Sequence, residues 1–354
     1  MSWSQLIGHR PQIDYFKRVV AQNRLAHAYL FIGPPGVGKR RFALELAKAL
    51  LCESARPQGA VEACDRCDSC LLVDAGTHPD LFQVARPEEK NEMPIAVMSE
   101  LCRNFSFKSA RGHGKIGIID DADDFNEESA NCFLKTLEEP PPNSLFILIS
   151  TSLDRQLATI KSRCQLVRFA PLSDEYVRQL LQKQGIDDSA MLARLVRLSG
   201  GSPGRALELA DESLWQFHGQ LLQALAKPKL DVVELGATFV KFAEEAGKEA
   251  ALQRRRAGQV IRLFVESLTD VLRLHAGAPA RSAESAHLPV LSALAERAGP
   301  DKIEAMLERC LETETQLGRY VQISLVLEGL MDSLGQVLQT AGPLPLRFQG
   351  FAEV

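Results

Sequence analysis

Three groups of residues in this sequence have types and spacings that could do chemistry. The first is Gly33-Pro34-Pro35-Gly36-Val37-Gly38-Lys39-Arg40. Glycines at this spacing let successive backbone N–H groups converge on phosphate oxygens, and a lysine that opens a helix reaches the terminal phosphates as a point charge. The phosphate-loop pattern continues with Ser or Thr, whose hydroxyl ligates Mg²⁺, but here Arg40 follows the lysine. A guanidinium has only donors and cannot coordinate a cation, so the loop points to ATP or ADP while arguing against Mg²⁺. The second group is Ile118-Ile119-Asp120-Asp121-Ala122-Asp123, an apolar run ending in acids. Asp120 is the candidate for the metal side of a nucleotide and Asp121 for polarising the attacking water, although Asp is shorter than the Glu usual there. A solvated acidic turn is the alternative, and the upstream phosphate loop favours the functional reading. The third group is Cys52, Cys64, Cys67 and Cys70, spaced C-x11-C-x2-C-x2-C. Four thiolates at this spacing read as a closed structural Zn²⁺ site, with an iron–sulfur cluster or free thiols as the alternatives.

These residues need elements to position them. Ala28–Ile32 reads as a buried strand running into the glycine loop. The helix that leaves the loop, to Leu51, sets Phe42, Leu46, Ala47, Leu50 and Leu51 on one face. A helix is expected near Gln12–Gln22, strands over 81–84 and 116–119, and a helix over 95–105. Asn126 is expected to cap a helix that stops at Pro140-Pro141-Pro142, with Ala130, Phe133, Leu134 and Leu137 inward. Leu145–Ile149 has the continuous apolar character of a parallel strand, 154–160 reads as helical, and 167–169 reads as an edge strand. After Pro171 strands disappear. Short helices over 175–184 and 188–199 are followed by Gly200-Gly201-Ser202-Pro203-Gly204, then by long helical patterns broken by prolines near 228, 279, 289 and 300. The expectation is α/β followed by all-α: a parallel-sheet domain over 1–169 carrying the cysteine insertion (52–70), a helical lid over 170–208, and a helical domain over 209–354.

A chain of 354 residues can hold two or three domains, and its net charge of −4 argues against a dedicated basic nucleic-acid binder. No apolar run approaches the roughly 18 residues of a membrane helix, and the N-terminus lacks the apolar core of a signal peptide. A cytoplasmic protein with no membrane partner is expected, so the eight cysteines are not read as a disulfide framework. Cys102, Cys132 and Cys310 are expected to be small core residues. Lys108, Arg111 and Lys115 read as a solvated loop rather than a DNA contact.

Further stretches carry a resemblance: His27-Ala28-Tyr29-Leu30-Phe31, Gly76-Thr77-His78-Pro79-Asp80, Leu134-Lys135-Thr136-Leu137-Glu138-Glu139-Pro140-Pro141 and Ile160-Lys161-Ser162-Arg163-Cys164. With the glycine loop and the four cysteines, they make residues 6–207 resemble the bacterial clamp-loader AAA+ family of the DNA polymerase III holoenzyme. The resemblance implies a P-loop AAA+ domain, a lid and a C-terminal helical collar that holds a pentamer. It also implies γ/τ and δ subunits as partners, together with a sliding clamp and primed DNA reached through the complex. The family includes ATP-hydrolysing γ/τ motors and a rigid stator whose own site is often decayed. Arg40, Asp121 and the absence of a tethering tail after about residue 340 favour the stator, and a γ/τ-type motor is the alternative. By resemblance Arg163 is an arginine finger serving a neighbour's ATP, and Ser150 or Thr151 is the sensor-1 position. Arg205 lies one place beyond the motor's sensor-2 arginine.

Overall fold

The computed structural model describes residues 3, 6–54, 61–87, 90–281, 287–318 and 321–340. The segment after 340, on which the absence of a tail was read, lies outside the described residues. The chain divides into two compact units, Met1–Leu207 and Glu208–Val354.

The first unit alternates helix and strand: α1 Arg10–Ala21, β1 Ala28–Ile32, α2 Lys39–Leu51, α3 Asp68–Asp74, β2 Leu81–Val84, α4 Ile95–Ser106, β3 Lys115–Ile119, α5 Glu127–Glu138, β4 Ser144–Ser150, α6 Ala158–Lys161 and β5 Gln165–Arg168. Three lid helices follow, α7 Asp174–Lys183, α8 Ser189–Ser199 and α9 Pro203–Glu208. The five strands form one sheet in the order β2-β3-β4-β1-β5, with every pairing parallel. Helices cover both faces of such a sheet, which is why β1, β3 and β4 are almost wholly apolar and buried. Register aligns Leu30 with Leu148 and Ile118 with Ile147, so the loops after β1, β3 and β4 emerge side by side at one sheet edge. That edge, at the carboxyl ends of parallel strands, is where open α/β sheets bind ligands.

Two expectations shift. In α2, Leu50 is only half-buried, while Ala43 and Ala49 join the core, because the helix is packed between the sheet and the cysteine insertion. The helix expected over 154–160 shrinks to the single turn of α6, since the Gln156 amide is drawn 3.1 Å from Asp123 Oδ1 and Leu157 takes an extended backbone. Asn126 caps α5 as expected, accepting from Ser129 N while the Ser129 hydroxyl returns to the Asn126 backbone. Cys310 is buried in the second unit, whereas Cys102 and Cys132 only edge the sheet core.

Among the described residues the second unit is all-helical: α10 Glu212–Ala226, α11 Val232–Glu244, α12 Ala250–His275, α13 Leu288–Arg297, α14 Pro300–Gly318 and α15 Ile323–Gln339. Asp211 and Asp231 cap α10 and α11. Pro289 sits in the first turn of α13, where its missing N–H costs nothing, and so does not separate helices. Phe217 and Phe242 stack at 4.2 Å between centroids, and the Arg256 guanidinium lies 4.1 Å over Phe242. His218 is fully enclosed, 3.0 Å from Ser267 Oγ, and burial pushes its pKa down to about 3. The unfolded chain therefore binds an extra proton below about pH 6.5, and stability must fall as pH drops from there towards 3. Between pH 7 and pH 4 this histidine should cost about 3 kcal/mol. Urea melts across that range should show the loss, and His218→Phe should flatten it.

Candidate nucleotide cleft, finger and cysteine site

The loop after β1 folds over the N-terminus of α2. Gly33 can only be glycine, because a Cβ there would lie 2.2 Å from the Phe169 carbonyl. Below the loop Phe31, Phe42 and Phe169 pack at 5.0–5.8 Å between centroids. His9 Nε2 donates to the Val37 carbonyl at 2.8 Å, so this ring holds its proton on Nε2.

The carboxyl ends of β1, β3 and β4 enclose a cleft of about 330 Å³ lined by Pro35, Gly36, Gly38, Lys39, Arg40, Arg41, Asp120, Asp121, Asp123, Ile149, Ser150 and Thr151. The structure thus brings together the predicted Lys39, Arg40, Asp120, Asp121 and Ser150. Most of their side chains already have partners within the chain. Lys39 Nζ donates to the Gly33 and Pro34 carbonyls at 2.5 and 2.8 Å. Burial draws its pKa down, against the attraction of Asp120 and Asp123. Arg40 Nε lies 3.7 Å from Asp120 Oδ2, and its Nη2 reaches Gln83 Oε1 at 3.5 Å. Asp121 takes a left-handed backbone, φ 52°, which Asp tolerates better than most residues. Burial, then the neighbouring Asp120 charge, push its carboxyl above the usual range.

Asp123 is the cleft residue that sequence reasoning passed over. It accepts from Ser150 Oγ (2.6 Å), Thr151 N (2.7 Å), Thr151 Oγ1 (2.7 Å) and Gln156 Nε2 (3.1 Å). Burial alone would raise its pKa, but these four donors outweigh it and hold the group ionised. Both sensor-1 candidates are therefore committed to an internal carboxylate. Arg205, on α9, lies outside the cleft lining; its backbone N–H meets Ser202 Oγ at 3.2 Å.

The lid closes directly on the loop. Ser202 Oγ donates to the Pro35 carbonyl at 2.8 Å, and Gly204 N donates to the Gly36 carbonyl at 3.0 Å. A Cβ on Gly204 would stand 2.7 Å from Gly36 Cα, so this approach needs glycine.

Arg163 lies away from this cleft. It follows α6 and reaches the far end of α5, where its Nη2 donates to Glu138 Oε1. Its Nη1 donates to Thr159 O at 3.0 Å and Ser162 Oγ at 3.1 Å. The N-terminus of α5 follows the Asp120–Asp124 segment, and its 12 residues span about 18 Å. The cleft and Arg163 therefore occupy opposite ends of one helix.

Cys52, Cys64, Cys67 and Cys70 converge, their sulfurs all within 4.8 Å of one another. Cys64 and Cys70 lie 4.0 Å apart and Cys52 and Cys67 3.9 Å apart. A tetrahedron with Zn–S bonds of about 2.3 Å sets sulfurs about 3.8 Å apart, so the donor set fits that metal. The Ser54 hydroxyl donates to Cys64 Sγ at 2.9 Å and Cys67 N donates at 3.3 Å. The Ser54 hydroxyl first, then backbone N–H groups, hold the Cys64 thiol down to about 5. Lys48, buried on α2, ties the insertion and the helix after it down through Asp65 (3.0 Å) and Asp74 (2.9 Å), and also pairs with Glu45 of its own helix (3.4 Å).

The Gly76–Asp80 stretch closes a second network. Ser69 Oγ gives its proton to Leu51 O at 2.6 Å, so it must accept from His78 Nε2 at 2.9 Å, while His78 Nδ1 accepts from Asp80 N at 3.1 Å. The Asp80 carboxylate then orders the loop through Ser109, Ala110 and Arg111. Arg111 forks onto Glu53 at 2.5 and 3.0 Å, and Lys115 donates to Asn104 O at 2.5 Å. Lys115 is thus buried at the start of β3 against α4 and Arg111 is held by the cysteine insertion, so the solvated-loop reading fails for Lys115.

Residues 8–173 match the family described as "DNA polymerase III, delta subunit". Along most of its length the chain is similar to the DNA polymerase III subunit delta' of Escherichia coli, 32% identical over 95% of this chain and 97% of that protein. It is 38% identical to the same subunit of Pseudomonas aeruginosa over 64% of each chain. The DNA polymerase III subunit tau of Escherichia coli is 30% identical over 62% of this chain but only 34% of its own length. Among the described residues no helix is long and apolar enough to cross a membrane. With its parallel P-loop sheet and helical second unit, the chain belongs to the DNA polymerase III subunit delta-prime family of AAA+ clamp-loader proteins.

Proposed function

We propose that this chain is the stator of a clamp loader: it assembles with γ/τ and δ subunits, helps set a sliding clamp on primed DNA, and turns over no ATP itself. The Arg40–Asp120 ion pair carries this reading. A fixed positive charge stands beside the acid that would otherwise face Mg²⁺, and position 40 offers no hydroxyl to share the metal. The commitment of Lys39, Ser150 and Thr151 to internal partners supports the same conclusion. Arg163 acts in trans, stabilising charge on the phosphoryl group at a neighbour's ATP site. The four cysteines hold a structural Zn²⁺ whose closed thiolate set leaves no open position for catalysis. The helical second unit provides the oligomerisation collar. The intact loop backbone and Lys39 favour a second reading, in which ATP or ADP binds without hydrolysis; Gly33–Arg40, Asp120, Asp121 and Ser150 would then surround it, with Arg205 outside the lining.

Purified alone, the chain is expected to hydrolyse ATP no faster than buffer, and turnover at a motor subunit's rate overturns the stator reading. Arg40→Thr, which frees Asp120 and supplies the missing hydroxyl, should make nucleotide binding at least tenfold tighter with Mg²⁺ than with EDTA. Calorimetric titration of wild type and variant would measure this.

A further inference from the structure

We infer that Glu138 is a positioning residue for Arg163, an inference that rests on the trans-acting finger proposed above. Glu138 is the last residue of α5, and Glu139 follows it. Two acids at a helix C-terminus stand against the negative end of the helix dipole, a placement local helix energetics disfavours. Arg163 is what Glu138 gains there: the carboxylate accepts from Nη2 across 25 residues of sequence. The family's two most distinctive stretches, 134–141 and 160–164, thus meet at one ion pair.

The geometry separates positioning from obstruction. Arg163 has five N–H donors. Thr159 O and Ser162 Oγ take Nη1, and Glu138 takes one proton of Nη2. Nε–H and the other Nη2–H lie outside these three bonds. A bidentate carboxylate would occupy the fork with which a guanidinium reads phosphate. A single bond from Glu138 instead fixes the plane of the guanidinium, together with the two anchors on Nη1, and leaves donors for a neighbour's phosphate. A finger ordered beforehand loses less rotamer entropy when the phosphate arrives. The pair is partly exposed, with side chains 32% and 50% accessible, so it is screened and can yield to a more highly charged phosphate.

The test is single-turnover ATP hydrolysis by the loader reconstituted with γ/τ and δ, in the presence of clamp and primed DNA, read at the site that Arg163 serves. Glu138→Ala should lower the hydrolysis rate at that site about three- to tenfold, the loss expected for one unordered side chain, with ATP binding unchanged. Glu138→Gln keeps an oxygen acceptor and should recover most of that loss, a rescue that a purely structural defect would not give. Glu138→Ala added to Arg163→Ala should cause no further change. Wild-type or faster turnover in Glu138→Ala, while Arg163→Ala is slow, overturns the positioning role and leaves the finger standing. A further drop in the double variant also overturns it, because Glu138 would then act without Arg163. Wild-type turnover in Arg163→Ala overturns the finger, and the positioning role with it.

Discussion

Replacing Arg163 by alanine is expected to slow hydrolysis about 10³-fold at the one ATP site the finger serves, the lower end of what such residues contribute elsewhere. The argument is geometric. Arg163 sits at the end of α5 remote from its own cleft, and its guanidinium is held at the surface by three acceptors. A cation held there cannot reach a phosphate on this chain's own loop, but it can face one on an adjacent subunit. In a ring with several ATP sites, total turnover would mask part of the loss, so single-turnover hydrolysis is the better measurement. Arg163→Lys should recover little, because an ammonium keeps the charge but not the planar fork. Assembly, followed by size-exclusion chromatography, should be unaffected, since the side chain buries no core surface. Unchanged single-turnover kinetics in Arg163→Ala would refute the trans role.

The second large effect concerns the cysteines. About one Zn²⁺ per chain is expected, and Cys67→Ser should abolish stoichiometric binding. A four-thiolate site in a small peptide is worth about 10–16 kcal/mol in apparent binding energy, most of which appears as folding energy. Here the cysteines form a cluster of their own, separate from the sheet core, so the loss should stay local, on the order of 3–5 kcal/mol. The expected signature is a lower Tm with rapid proteolysis between Cys52 and Cys70, reproduced in wild type by a strong chelator. Lys48 sharpens the prediction: once the knuckle opens, its buried ammonium loses Asp65 and keeps Glu45 and Asp74. Iron in place of zinc, or no metal at all, would refute the assignment.

Much of this was legible in the sequence, for identifiable reasons. Strands β1, β3 and β4 are buried on both faces, and such strands write themselves as unbroken apolar runs. The helix from Asn126 announces itself by a capping residue and a proline stop. The cysteines need only short-range spacing. Asp123 escaped because an acid after a strand looks like a solvated turn; its role depends on β4 lying next to β3, which sequence order does not reveal. Glu138 was read as part of a recognisable string, and its partner lies on another element. The 154–160 segment has helical composition but yields its first half to a hydrogen bond with Asp123. Ser202 is separated from Pro35 by 167 residues, beyond the reach of any local pattern.

That last contact has a mechanical meaning. It lies where the lid meets the loop after β1. Here the junction is fastened by Ser202 Oγ on Pro35 O and Gly204 N on Gly36 O, two bonds made by the polypeptide. The angle it sets is held by groups of this chain alone. On the stator reading proposed above, this fastening makes the chain a fixed jaw against which moving neighbours measure their travel.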